Sequence, residues 1–309
     1  MGAGHSHATP APTGTAAYAY RRRMTVVLAI VATILVVQVV GAIVSGSLAL
    51  LADAGHLLAD GFGVALALLA TTMAARPPSV ARTFGWQRAE ILAALTNGVV
   101  VAAIAVFAVV GGVRRLAEPS EVDGGLMLVI AVVGLVGNVV CMLLLRRGQG
   151  DSLNVRGAYL EVLGDTLGSL AVVTAAIVIM TTGYLRADAI ASILIGAMIL
   201  PRAWLLLRDV VNVLLEATPK GVDLDDVRRH MLDAPGVIDV HDLHAWTITS
   251  GVPVLSAHVV VDEGELAACG TGSVLDGLHL CLAGHFDIEH STFQIEPRGH
   301  AEHEHAGHA

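Results

Sequence analysis

Residues 24–61 read MTVVLAIVATILVVQVVGAIVSGSLALLADAGHLLADG. The first 29 of them, Met24 to Ala52, carry no charge. A bilayer span needs about 20 mostly apolar residues. The run is therefore one span and the start of another. Ser45-Gly46-Ser47 reads as a tight turn, which divides it into a helix at 24–44 and a second at 48–74. The second takes Asp53, His56 and Asp60 into the membrane, where ionisable groups are expensive and mark function.

Working outward, four further apolar runs qualify. They cover 89–112, 124–145, 156–182 and 187–207. The fifth span of the set carries Glu161 and Asp165. Six spans leave loops too short for another domain. Arginines 21, 22, 23, 76, 82, 88, 146, 147 and 156 fall on one side, and Arg114, Arg115 and Arg186 on the other. Basic residues in short loops stay inside, so both termini are expected in the cytoplasm, with the protein in the plasma membrane. Composition agrees. The chain is 55% hydrophobic and 15% charged, with mean hydropathy +0.71, against roughly 25% charged in soluble domains. That excludes a soluble enzyme, a coiled coil and a disordered chain.

Charge splits the chain in two. Residues 1–208 hold 14 arginines and 10 carboxylates, whereas residues 209–309 hold 4 basic and 17 acidic residues. Eleven of the 14 histidines follow position 200. An acidic, His-rich region suits cations and does not suit nucleic acid. It reads as a small α/β domain over 209–297: a helix at 222–232, strands at 237–249 and 254–262 around Ser250-Gly251, a helix at 272–283 and a strand at 288–296. The order is α-β-β-α-β, a two-layer unit. Residues 1–23 and the His-rich 298–309 read as disordered tails. Cys141, Cys269 and Cys281 form no CxxC pair and support neither a disulfide framework nor a thiolate zinc site.

Two spans repeat one pattern. Span two has His56-Leu-Leu-Ala-Asp60 and span five has Glu161-Val-Leu-Gly-Asp165. Residues four apart share a helix face. If the two faces meet, four nitrogen and oxygen donors converge, a set suited to a divalent first-row metal and most often to tetrahedral zinc. Asp53 shares roughly the same face, as a feeder ligand, a support for a ligand or a proton carrier. Gln38, Asn97, Asn138 and Asp188 read as packing or loop-anchoring groups.

LLADAGHLLADG (50–61), FGWQRAEILAALTNG (84–98), NVRGAYLEVLGDTLGS (154–169) and VHDLHAWTITSG (240–251) with LSAHVVV (255–261) together resemble the cation diffusion facilitator family, and within it the bacterial zinc/cadmium/cobalt efflux branch. The resemblance covers residues 20–297. It implies an all-α six-helix transmembrane domain, a cytosolic metallochaperone-like domain, a homodimer, and exchange of divalent metal for protons. It also implies that His241 and His258, on adjacent strands, bind metal with Glu296. His290 has the parity of Glu296 and joins this candidate set. His241 and His244 are three apart and are expected on opposite faces of their strand. His244, His279 and His285 read as surface or packing histidines, and the terminal histidines (His5, His7, His300, His303, His305, His308) as weak collectors of metal or as solvated tail.

One position departs from the family pattern, which has His-x-x-x-Asp in span five as well. With Glu161 in place of that histidine, the four donors sum to −3 and a bound dication leaves −1. A net charge in a low-dielectric site is expensive, so Glu161 is expected to keep a proton or to bind through one oxygen. The harder donor set also raises a manganese- or iron-preferring exporter as an alternative to zinc. Ligands must lose protons to bind metal, and an imidazole titrates near ~6.5. Protons and metal therefore compete at one site, and the alternating access that the resemblance implies couples export of one to entry of the other. The resemblance further implies Zn²⁺ as both cargo and regulatory ion, the latter tightening the dimer, and no organic cofactor. The rivals are an intramembrane metalloprotease, which would need a motif such as His-Glu-x-x-His, a metal sensor that does not transport, and a passive channel.

Overall fold

The chain turns at Ser45-Gly46-Ser47. Helix α1 (Thr15–Ser45) ends there, and α2 (Leu48–Ala74) begins one residue after Ser47. Gly46 takes a φ of 71°, which glycine adopts without a Cβ clash. A buried carboxylate fixes the turn. Asp188 accepts from Ser47 Oγ at 2.6 Å and from the Leu48 and Ala49 N–H groups at 2.9 and 3.1 Å, and Arg115 holds both Asp188 and the Gly46 carbonyl. The first N–H groups of a helix have no partner within it, and Asp188 supplies one. This is the loop-anchoring role expected of it.

The structure is a computed structural model that describes residues 15–146, 153–286, 288 and 290–300. Helices α3 (Ala89–Ala117), α4 (Gly124–Arg146), α5 (Leu153–Thr182) and α6 (Arg186–Leu214) complete six that are long and apolar enough to cross a membrane. Their ends differ from the expected ones by more than three residues in three places. Helix α1 starts at Thr15, so part of the N-terminal stretch expected to be disordered is helical. Helices α3 and α6 run on to Ala117 and Leu214. The boundary expected at 208/209 therefore falls inside a helix. Hydropathy marks where a segment becomes polar, and a helix continues past that point. Residues 1–14 and 301–309, with the remaining tail histidines, lie outside the described residues.

The chain forms two compact units, one of residues up to Val64 with Asn97–Trp204, the other of Ala65–Thr96 with residues from Leu205 on. In the first, small residues let helices approach. A Cβ on Gly112 of α3 would stand 2.8 Å from the Ala189 carbonyl, and one on Gly196 of α6 would stand 2.8 Å from the Ala105 carbonyl. Ser192 Oγ donates to the Ala108 carbonyl at 3.0 Å across the same pair. Close backbone approach through small residues is how spans associate in lipid. Large apolar side chains such as Leu28, Ile43, Val64 and Leu68 point outward, as a lipid-facing surface requires.

In the second unit, α7 (Leu224–Leu232) is capped by Asp223, whose carboxylate accepts from the Asp225 and Asp226 N–H groups. Strands β1 (Val237–Thr247), β2 (Pro253–Val261) and β3 (His290–Glu296) form one sheet in that order, β1–β2 antiparallel and β2–β3 parallel. Helix α8 (Glu263–Phe286) makes the crossover that a parallel pair needs. It begins nine residues before the expected Gly272, then breaks at Gly270 (φ 74°, ψ 161°). Asp262 starts it by accepting from the Gly264 and Glu265 N–H groups, which hold its carboxyl below the ordinary value. Val227, Met231, Leu278 and Leu282 of the helices pack on Val240, Leu255, Ala257 and Val259 of the strands. The alternate strand residues face away from the helices. In the same unit Arg88 pairs with Glu216 at 3.0 Å, and Thr249 Oγ1 donates to Glu90.

One expectation about the sheet is corrected. His241 faces His258 and His244 faces Ser256, with a register shift between them. Asp242, at φ 47°, is the extra residue, and Asp is among the few side chains that tolerate this region. A bulge moves every following side chain across the strand. His241 and His244 therefore share a face instead of opposing each other.

Candidate metal centres

The first centre grows from the period of α2. His56 and Asp60 are one turn apart, and α5 brings Asp165 to them. His56 Nε2 stands 3.7 Å from Asp60 Oδ2 and 3.7 Å from Asp165 Oδ1. One donor atom from each residue lies within 4.8 Å of the others. Those separations are too long for hydrogen bonds. Donors at about 2.0–2.1 Å around a tetrahedral ion stand roughly 3.3 Å apart, so a small contraction would close the set on a cation. His56 and Asp165 are buried, 8% and 5% exposed. Among the described residues seven buried side-chain nitrogen and oxygen atoms lack a hydrogen-bond partner. Three of them are His56 Nδ1, Asp60 Oδ2 and Asp165 Oδ1. Buried polar atoms left unmade are expensive, and a cation held between His56 Nε2 and the two carboxylates would relieve Asp60 Oδ2 and Asp165 Oδ1.

Glu161, the fourth expected donor, is not among the three. Its Oε2 accepts from Arg202 Nη2 at 2.5 Å, on α6. Asp53 is also apart from the cluster. It accepts from Gln38 Nε2 at 2.7 Å and from Ser169 Oγ at 3.3 Å, and Asn138 donates to Ser169 at 3.2 Å. A Cβ on Gly168 would stand 2.8 Å from Asp53 Oδ1, so α5 must carry glycine where it passes this carboxylate. A cavity of about 110 Å³ is lined by Asp53, His56, Gly168, Met198 and Arg202, among others.

Arg202 and the Gln38–Asp53 contact were not anticipated. The signal for Arg202 was present, an arginine inside the sixth apolar run, directly after Pro201. Gln38 carried no local pattern, since nothing within α1 points to a residue on α2.

The second centre lies on the face of the sheet opposite the helices. His241 and His258 are register partners with ring centroids 5.1 Å apart. Glu296 comes from β3, two strands from β1. Its Oε2 is 3.1 Å from His241 Nε2, its Oε1 is 2.8 Å from His258 Nδ1, and the residue is 2% exposed. One donor atom from each of the three lies within 4.8 Å of the others. Two imidazoles and a carboxylate are a donor set that fits zinc. Asp242, thrown outward by the bulge, stands 3.6 Å from His258 and 3.0 Å from His244.

His290 is the exception among the expected members. It pairs with Val254 and is exposed. Six residues of strand separate it from Glu296, about 20 Å at 3.3 Å per residue. It shares their face and not their site. His279 bonds Ser291 and packs on Phe293, as a packing histidine does. The side chain of His285 lies outside the described residues.

Residues 24–215 match the cation efflux transmembrane domain, and residues 219–298 match the cytoplasmic domain of cation efflux proteins. The chain is 43% identical over 296 residues to the metal cation efflux system protein CzcD of Cupriavidus metallidurans, covering 96% of this chain and 90% of that one. It is 41% identical over 277 residues to the zinc transporter ZitB of Escherichia coli, covering 89% and 87%. It is 37% identical over 269 residues to the cadmium, cobalt and zinc/H(+)-K(+) antiporter of Bacillus subtilis, covering 86% of each.

Proposed function

The chain belongs to the cation efflux family, and on that premise we propose that it exports Zn²⁺, with Cd²⁺ and Co²⁺ as further cargo, in exchange for protons. The observation that carries this reading is the cluster of His56, Asp60 and Asp165, where His56 Nε2 faces two buried carboxylate oxygens that have no hydrogen-bond partner. Its ligands take up protons when the ion leaves and release them when it binds. A protein that exposes the cluster to one side and then the other exchanges the two. Asp53, tied to Gln38 and Ser169, fixes α1 and α5 against the helix that carries His56.

The arginine distribution supports placing both termini in the cytoplasm. The second centre is then cytosolic. His241, His258 and Glu296 would hold a regulatory zinc ion there, drawing β3 and the β1–β2 hairpin together. The match to a cytoplasmic cation efflux domain supports assembly as a homodimer through this part of the chain.

The test is metal uptake into inside-out vesicles under an imposed pH gradient, for zinc, cadmium, cobalt and manganese. Uptake is expected to require the gradient and to vanish in Asp165→Ala. Gradient-independent flux would make the protein a channel. No flux of any metal, with retained binding to the C-terminal domain, would make it a sensor.

A further inference from the structure

The sixth span carries a cation that a metal site has no evident use for. Arg202 lies inside α6, directly after Pro201, and bonds Glu161 at 2.5 Å. Its guanidinium passes over Gly164 and lines the same cavity as His56 and Asp53. An arginine within a span is expensive and keeps its charge at any working pH. Placed beside a cation site it opposes binding. A unit charge ~6 Å from a dication at a typical effective dielectric changes affinity by roughly 10⁴-fold before solvent screening. Some feature of the site must offset that effect.

The formal charges identify it. Asp60, Asp165 and Glu161 contribute −3, and Arg202 contributes +1. The total of −2 is cancelled by one dication. Without Arg202 the loaded site would carry one further negative charge beside the buried His56 and Asp165, which is disfavoured. The Asp53 carboxylate on the same cavity accepts from Gln38 and Ser169 and is counted apart from these four groups. The Glu161–Arg202 pair thus contributes no net charge, as a neutral imidazole would.

We infer that Glu161 and Arg202 act as one neutral unit beside the transport site: Arg202 engages the Glu161 carboxylate and cancels its charge, so that the ion is held by His56, Asp60 and Asp165. Arg202 is a positioning residue in this assignment, and Glu161 is not a metal ligand.

The inference rests on the transport reading, but equilibrium affinity tests it separately. Full-length protein carrying Glu296→Ala, which silences the cytosolic centre, is titrated with zinc against a fluorescent chelator. Glu161→Gln leaves an excess positive charge and is expected to weaken zinc binding at least 10-fold. Arg202→Gln leaves an excess negative charge and is expected to tighten it at least 10-fold while slowing release, and therefore uptake. The double variant Glu161→Gln/Arg202→Gln should return within about 3-fold of the parent, and Arg202→Lys should stay close to it. Single variants that shift affinity in the same direction would reduce the pair to a structural strut and overturn the proposal. A double variant as weak as Glu161→Gln would make Glu161 a ligand and also overturn it. Should Arg202→Gln alone not yield folded protein, the double variant against Glu161→Gln decides the question by itself. Failure of the parent to take up metal in the gradient assay would count against transport and leave the affinity pattern to judge the pair.

Discussion

The two clusters are built from the same chemistry and left in opposite states. Each joins three side chains from imidazole and carboxylate. On the sheet, both oxygens of Glu296 already lie 3.1 and 2.8 Å from imidazole nitrogens. Between the helices, the nearest donors stand 3.7 Å apart, and three of their atoms are buried without a partner. A set satisfied by its own hydrogen bonds folds well without an ion, and the ion must displace those bonds. A set that cannot satisfy itself stays poised for a cation or a proton at all times. The first arrangement suits a sensor that fills only when metal is abundant. The second suits a carrier that must exchange one occupant for another.

The most direct way to break this contrast is to remove one imidazole from each cluster. His56→Ala should lower the initial rate of zinc uptake in proteoliposomes at least 100-fold, since it takes away the donor shared by both close contacts. His258→Ala should lower uptake only severalfold, and chiefly at low zinc, while removing one bound zinc per protomer from the equilibrium count. Equal losses of uptake in the two variants would show that the sheet centre lies on the transport path.

A subtler perturbation sharpens the same contrast. The helical centre depends on close packing, because α5 passes Asp53 at a glycine. Gly168→Ala puts a methyl carbon 2.8 Å from Asp53 Oδ1. Overpacking of this kind costs about 1–3 kcal/mol, or roughly 10-fold in rate if the strain falls on the active geometry. Uptake should drop by about that factor, with zinc bound at the sheet centre unchanged. An unchanged rate would mean that α5 yields freely and that the position of Asp53 is not critical.

What the sequence revealed divides along the same line. Six spans, the α-β-β-α-β order and the His56/Asp60 pair follow from periodicity, which is local and survives folding. Asp165 was legible because it repeats that spacing on α5. The partners of Asp53 and Glu161 were not, since Gln38 and Arg202 reach them from neighbouring helices, 15 and 41 residues along the chain and beyond any local pattern. Glu161 lies outside the three-residue cluster and is bonded to Arg202, a contact that the span-five motif alone does not show. The face of His244 failed for a different reason. Parity assumes an unbroken strand, and Asp242 interrupts it with a single left-handed residue.

Parity also misplaces His290, and this supplies the smallest effect. His290 and Glu296 are both even-numbered residues of β3 and face the same way, which suggested a shared site. The parallel pairing decides otherwise: β3 aligns His290 with Val254, whereas His258 sits four residues further along β2, opposite Gln294. A strand rises about 3.3 Å per residue, so no rotamer of His290 reaches the ion held by His241, His258 and Glu296. His290→Ala should leave zinc stoichiometry and affinity at the sheet centre within about 2-fold of the parent, and uptake with them. A lost zinc in that variant would mean that the sheet centre is larger than three residues or that β3 pairs in a shifted register. Either result would undo the contrast between a compact, self-satisfied cluster and an open one.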